Sequence, residues 1–480
     1  MNIAYDSLRV KGIPCRRILD LELYHAPNMI GTVKLMGETS QQEIEHFIPR
    51  AGKDLVRLIV SGAAGEEQTI FCGYLDFLDY ELCSQYATVT CTLKDTACLL
   101  DLRREDQTYQ DLAKTYQDVL RRSYALAGVE TNLTFGVPDK PIGRFLAQMQ
   151  ETAWEYSVRL ASHFHTAVFT RLREEKPSLS VGLPAGTGQK IMLDSATAAY
   201  RQDNRAYLRY RLNQGQVGEK TAVQDFGHII CASDEYACLG DTAAFGGKDY
   251  VITRVQGMLQ DGLLRMSYEL SDPQGLRWPL RQHPSCGGRI SKGKVQAVER
   301  DRIQVWFDGM DAMYDSGSST WFPYSTGYSS ADGSGWYVMP EPQDEVRILF
   351  PSHNEAAAFG ASAVNQAPAP AERNKYFRAP GGNNVLMDED GITLDCTSAD
   401  SFIRISQSKG VQVYSTRPIV VSSQNDIEIE GKEGVVVQAD DSITMQVGNS
   451  NIHMDAQEIG MGANVIKIGQ EPQPELWSAK

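Results

Sequence analysis

The sequence predicts a mainly β protein with some α: two related β-barrels with helices over residues 1–284, a five-stranded OB-type barrel in the middle, and a C-terminal trimeric β-helix or β-prism. Three observations lead there. Short apolar alternations recur every eight residues towards the C-terminus. Five strand-like pieces with Gly-rich turns crowd into residues 288–364. Strand alternations in the front half echo one another at a constant offset of 177 residues.

The 480 residues are 42% apolar and 22% charged, with 46 basic against 61 acidic side chains and a formal charge of −15. That apolar fraction supports packed cores, and the length suits about three domains. No run of roughly 18 apolar residues occurs, which excludes a helical membrane span. Met1–Val10 lacks a basic end followed by an apolar stretch, so no Sec-type signal is expected and assembly in the cytoplasm is. The acidic balance argues against nucleic acid as a partner, because that binding uses Lys and Arg to displace counterions from phosphates. Nine cysteines, an odd number without a C-x-x-C pair, read as small hydrophobes rather than as a zinc or disulfide framework.

In the front half, Leu55–Ser61, Gln68–Asp79 and Ala87–Lys94 alternate as strands of a first barrel over 1–105. A connector over 106–165 carries two expected helices, Thr108–Ala127 and Pro141–His165. In the second, Phe145, Met149, Ala153, Tyr156, Leu160 and Phe164 step by three or four, as a buried helical stripe does. A second barrel is expected over 166–284. The echo lays Tyr74–Phe77 through Thr92–Asp95 on Val251–Arg254 through Glu269–Asp272, each a strand–turn–strand unit ending in an acidic turn.

The middle domain, 285–365, contains Ile290–Glu299, Arg302–Phe307, Trp321–Tyr328, Gly335–Val338 and Glu345–Pro351, the count and spacing of an OB barrel. Its aromatics, among them Trp306, Trp321, Phe322 and Trp336, would suit stacking on bases. Ten acids against six bases over 288–364 remove the basic groove such binding needs, so the rings are assigned to packing. Here the sequence becomes recognisable. Gly288-Arg289-Ile290, Arg302 to Phe307, Trp336-Tyr337-Val338-Met339-Pro340 and Gln343 to Phe350 resemble the OB domain of the VgrG-like central spike of contractile injection systems, a family related to the hub and needle of contractile phage tails. Glu151 to Ala161 resembles the hub domain of the same family. The family carries Gly-Asp-Glu-Val where Gln343-Asp344-Glu345-Val346 stands, and Asp-Pro near Asn354-Glu355-Ala356. The resemblance implies two hub barrels per chain, taken three times, as a ring of six modules that docks a threefold spike on a sixfold tube.

After a linker over 366–383, residues 384–470 repeat. Alternating pairs begin at 411, 419, 427, 435 and 443, eight apart, with turn formers such as Ser408-Lys409-Gly410 between them. An octad is too short for one chain to complete a coil, so each strand has an apolar face that its own chain leaves uncovered. Three chains around a common axis solve this. The expected trimer core is Ile403, Ile405, Val411, Val413, Ile419, Val421, Ile427, Ile429, Val435, Val437, Ile443 and Met445. Arg404, Gln412, Glu428, Glu430, Thr444 and His453 take the outward parity; Cys396 shares the inward one. Parity therefore argues against His453 as an axial metal ligand. Ile466, Ile468 and, in the 471–480 tail, Trp477 are candidate contacts for a tip cap or cargo.

A search for chemistry finds little. There is no phosphate-binding loop, nucleophile elbow, H-E-x-x-H helix or calcium loop. His163-x-His165 has metal-ligand spacing but reads as a helix end, and the carboxylate pairs lie in turns. No catalytic, cofactor or metal residue is assigned. The expected function is mechanical: a homotrimeric spike capping the inner tube and breaching a target envelope in transient contact with its membrane. The resemblance implies as partners the inner tube protein, baseplate wedge components, a tip cap protein and effectors. The rival expectation is a trimeric tail spike that degrades or binds surface polysaccharide; it would need aromatics on the outer strand face, where Tyr414 stands almost alone.

Overall fold

Alternation decides which residues become strands in the front half. Along Tyr86–Asp95 and Thr32–Ser40 every second side chain turns into the core, with Val33, Leu35, Val89, Cys91 and Leu93 at most 1% exposed. The computed structural model describes residues 3–62, 65–84, 86–186, 190–192, 198–214, 222–311, 319–365, 373–396 and 400–467. Two units emerge, residues 1–367 and 368–480.

The two expected front modules are present and share one twelve-stranded sheet. The first runs, in spatial order, Val56–Ser61, Glu67–Cys83, Tyr86–Asp95, Thr32–Ser40, Arg17–His25. The second runs Thr242–Phe245, Lys248–Gln260, Leu263–Ser271, Gly227–Ser233, Ala199–Gln202, in the same order along the chain. Arg17–His25 pairs antiparallel with Lys248–Gln260 and fuses the two.

The echo at 177 residues holds rung by rung. Tyr74 faces Lys94 and Leu75 faces Leu93; Val251 faces Ser271 and Ile252 faces Leu270. Both hairpins then bulge at the same step, before Phe77 opposite Thr92 and Arg254 opposite Glu269. Their turns use left-handed residues at matching places, Ser84 (φ 58°) and Asp261 (φ 51°).

The connector differs from the expectation. Pro141–His165 is not one helix. Leu146–Thr152 is a strand paired with Arg104–Tyr109, and the helix is Ala153–Ala161. Thr152 starts that helix: its hydroxyl accepts from the Glu155 N–H at 3.1 Å while the Glu155 carboxylate accepts from the Thr152 N–H at 3.0 Å. Upstream, Phe145, Ala147 and Met149 alternate with period two into the OB core, which mimics a helical stripe when spliced to Ala153 and Tyr156. Likewise Thr108–Ala127 shortens to the helix Tyr116–Leu126, capped by Thr115.

The middle barrel is closed in the order Ile290–Glu299, Arg302–Phe307, Trp321–Ser325, Phe359–Ala363, Glu345–Leu349. Gly335–Val338 is not one of its strands. Its place is taken by Phe359–Ala363, whose small residues hid it; a Cβ on Gly360 would meet Ile303 at 2.6 Å. Phe145 packs edge-on to Phe322 and stacked on Phe307, at 5.1 and 5.7 Å between centroids, so connector and barrel share a core.

Gln343 adopts φ 81°, the left-handed region that glycine enters without strain, at the position where the VgrG-like family carries glycine. Replacing Gln343 by Gly is expected to stabilise unit 1 by about 1 kcal/mol, read as a rise in the denaturant midpoint; an unchanged or lowered midpoint would refute the strain.

Candidate functional site: the uncovered strand faces

In the second unit five strands form an antiparallel meander, Lys375–Arg378, Asn383–Met387, Gly391–Cys396, Ser401–Ser406 and Gly410–Tyr414. The first of these lies in the stretch expected to be linker; the Pro380-Gly381-Gly382 turn, with Gly382 at φ 87°, folds it back as a hairpin. Side-chain parity sorts the faces. Val385, Leu394, Ile403 and Val413 form one row across neighbouring strands, and Met387, Ile392, Ile405 and Val411 the next. The opposite face carries Thr393, Arg404 and Gln412, with Arg404 paired to Asp390 at 3.0 Å.

A second meander, Ser442–Val447, Ser450–Asp455 and Ile459–Gly462, repeats the pattern. Ile443 faces Met454 and Met445 faces Ile452, while Thr444 and His453 sit together on the other side, hydrogen-bonded at 2.8 Å. His453 thus points away from the apolar row, as parity required. Between the meanders, residues 415–441 form no strand. The octads at 419, 427 and 435 were expected as strands; within one chain they have no neighbour to pair with.

The apolar rows are uncovered. Of the twelve expected core residues, eleven are exposed, from 44% for Ile403 to 76% for Ile429, and Ile443 is half-buried. Ile466 is 50% exposed, whereas Ile468 and Trp477 lie outside the described residues. Residues 415–441 also leave backbone N–H and C=O groups without strand partners in this chain, to be satisfied by water or by another chain.

Polar clusters elsewhere are half-buried or buried in the fold. His163 meets the Tyr116 hydroxyl at 3.1 Å and Arg144 at 3.0 Å, and His165 turns left-handed (φ 52°) towards the Trp278 carbonyl, so the two rings do not converge. Among the described residues no group of three or more His, Cys, Asp or Glu could hold a metal ion. Burial pushes the Cys91 and Cys286 thiols up to about 12, the inert state of a packed cysteine.

Arg159, buried, donates to Glu151 at 2.8 Å and to Glu355 at 2.7 Å, tying the front half to the barrel. Sequence reasoning quoted all three within family-like segments but gave none of them a role. The His25 Nε2 lies 2.8 Å from the Thr170 hydroxyl, which donates to Asp95 at 2.7 Å; the Gly31 and Ala97 N–H groups also donate to Asp95. This resembles a catalytic relay, but all three residues are at most 4% exposed and no substrate reaches them.

With this geometry in view, the chain can be compared with known proteins. It matches no family model and no curated protein. Among solved structures it is similar to the E. coli c3393 protein, a component of the type VI secretion system with structural similarity to the T4 bacteriophage tail proteins gp27 and gp5. That match has 14% identity and a TM-score of 0.53, and covers 75% of this chain and 99% of that one. It is also similar to a chain of the Francisella PdpA–VgrG complex in its lidless form, at 9% identity and a TM-score of 0.51, covering 85% and 98%. The fold is that of a VgrG-like spike. In this VgrG-like fold the paired modules come first, the closed barrel follows, and the uncovered strands come last.

Two outcomes are expected. Burial pushes His25 down to about 3 from its ordinary 6.5, so between those values the unfolded chain binds a proton that the folded one refuses, and stability falls as pH drops. Asp95, pushed up to about 6 by burial, works in the opposite sense between 3.8 and 6. His25→Gln should remove about 2 kcal/mol of the stability difference between pH 7 and pH 5, measured by denaturant melts; an unaltered pH slope would refute it. Val421→Asp with Val437→Asp should leave the first unit folded by near-ultraviolet dichroism yet abolish self-association, since each copy would bring two unpaired charges into a shared core at several kcal/mol each; association unchanged in mass would mean these faces stay in water.

Proposed function

We propose that the chain is the homotrimeric spike of a contractile injection system. The hub modules cap the sixfold inner tube, the barrel forms a collar, and three copies of residues 384–470 wind into the shaft that breaches a target envelope. The observation that carries this reading is the row of exposed apolar residues from Ile403 to Met445 on a VgrG-like fold, a face that further copies of the same chain would cover. A closed trimer opens only by losing many strand pairs together, which suits a part that is pushed rather than one that turns over substrate. The protein is accordingly taken to be structural and not an enzyme, assembled in the cytoplasm and fired across the envelope. Its partners would be the tube protein, baseplate wedge components, and a tip cap or effectors at the far end near Ile466.

Light scattering of the purified chain at micromolar concentration should give about three times 53.2 kDa. A stable single-chain particle with the same strand content would sink the reading. Release of reducing sugars from a panel of surface glycans would replace it with the polysaccharide-degrading tail spike; none is expected.

A further inference from the structure

Among the described residues two of the edges that the fused sheet leaves unpaired are related by its internal duplication, and that duplication says what covers them. Within the chain, the upper half of Lys248–Gln260, beyond its bulge, pairs on its outer side with Arg17–His25: Val255 with His25, Gln256 with Tyr24, Gly257 with Leu23, Met258 with Glu22. The equivalent strand of the first module, Glu67–Cys83, matches Lys248–Gln260 rung by rung at the 177 offset, bulge and turn included. Yet on the outer side of its upper half no strand pairs with it among the described residues. Conversely, Ala199–Gln202 occupies in the second module the place of Glu22–His25 in the first, at the same offset: Arg201 faces His228 as Tyr24 faces Thr32. Among the described residues it pairs with one neighbour, Gly227–Ser233, and its other edge carries no strand.

We propose that these two edges are one seam: the upper half of Glu67–Cys83 in one copy pairs antiparallel with Ala199–Gln202 of the next. The register places Leu78 opposite Gln202, Asp79 opposite Arg201, Tyr80 opposite Tyr200 and Glu81 opposite Ala199. It follows from applying the in-chain rungs to the duplicated strands and needs no fitted parameter. The chemistry at the rungs agrees with it. Asp79 meets a guanidinium, and among the described residues neither Asp79 nor Arg201 makes an ion pair within its own chain. Tyr200, 65% exposed on a bare edge, gains an aromatic cross-strand partner. A long strand edge left open would otherwise template aggregation. Because the two edges differ, the contact is head-to-tail, and under the threefold reading above it closes as a ring. Its count of three rests on the trimeric reading above; its register does not.

Cysteine cross-linking of the full chain, in a Cys83→Ser background because Cys83 is exposed on the same strand, tests the seam. Tyr80→Cys/Tyr200→Cys and Asp79→Cys/Arg201→Cys probe neighbouring rungs, one of which has the closer, non-hydrogen-bonded spacing that a disulfide accepts. Oxidation should yield covalent dimers and trimers on a non-reducing denaturing gel at one rung or both, at least tenfold above Tyr80→Cys/Arg201→Cys, whose one-residue slip puts the thiols on opposite faces. Asp79→Arg should weaken cross-linking at the tyrosine rung, and Asp79→Arg with Arg201→Asp should restore it. Light scattering of the same unoxidised samples separates the two proposals. A trimer without in-register cross-links, or with the slipped pair linking as well, overturns the seam and leaves the shared needle standing; a monomer overturns both.

Discussion

A β-strand has two edges and two faces, and the free energy of this molecule turns on whether each is covered. The barrel over Ile290–Ala363 meets the requirement alone, since its five strands close on themselves around Val305, Phe307 and Ile348. Neither flanking part does. Among the described residues the front sheet ends in open edges, and the C-terminal unit presents two rows of apolar residues that its own chain does not bury. Along the chain, the closed part lies between two that leave strand edges or faces uncovered. Covering those faces would take apolar area out of water at about 25 cal/mol per Å².

What joins hub to barrel is of another kind. Arg159 lies between Glu151 and Glu355 with its remaining donor on the Ala147 carbonyl, and Phe145 reaches from the connector into the barrel's aromatic core. Removing either carboxylate's partner would strand a buried charge, while the aromatic cluster supplies contact area at the same junction. His283, pushed down to about 3 by burial, stays neutral beside Glu151 and adds no charge there. Charge and packing therefore fix one orientation together.

Several of these features were legible in the residues. The 177-residue echo predicted a duplicated hairpin, and the eight-residue spacing predicted faces too apolar for one chain. Others were not. Phe145, Met149 and Ala153 mark a helical stripe only if one ignores that Thr152 can cap a helix at its own position and leave the residues before it to a strand. Phe359–Ala363 carries the small side chains that the barrel's last gap demands and so shows no alternation. Arg159, Glu151 and Glu355 are separated by up to 204 residues and carry no local signature of meeting.

Periodicity and composition by themselves determined the strand-rich class, the order of duplicated front half, small barrel and repeat, and which side chains of the repeat share a face, because these depend on covalent spacing along an extended backbone. The tertiary structure alone decided which strands are neighbours, where helix gives way to strand around Thr152, and which edges stay open. Those are outcomes of long-range pairing, in which a residue's partner is set by the whole sheet and not by the residues beside it.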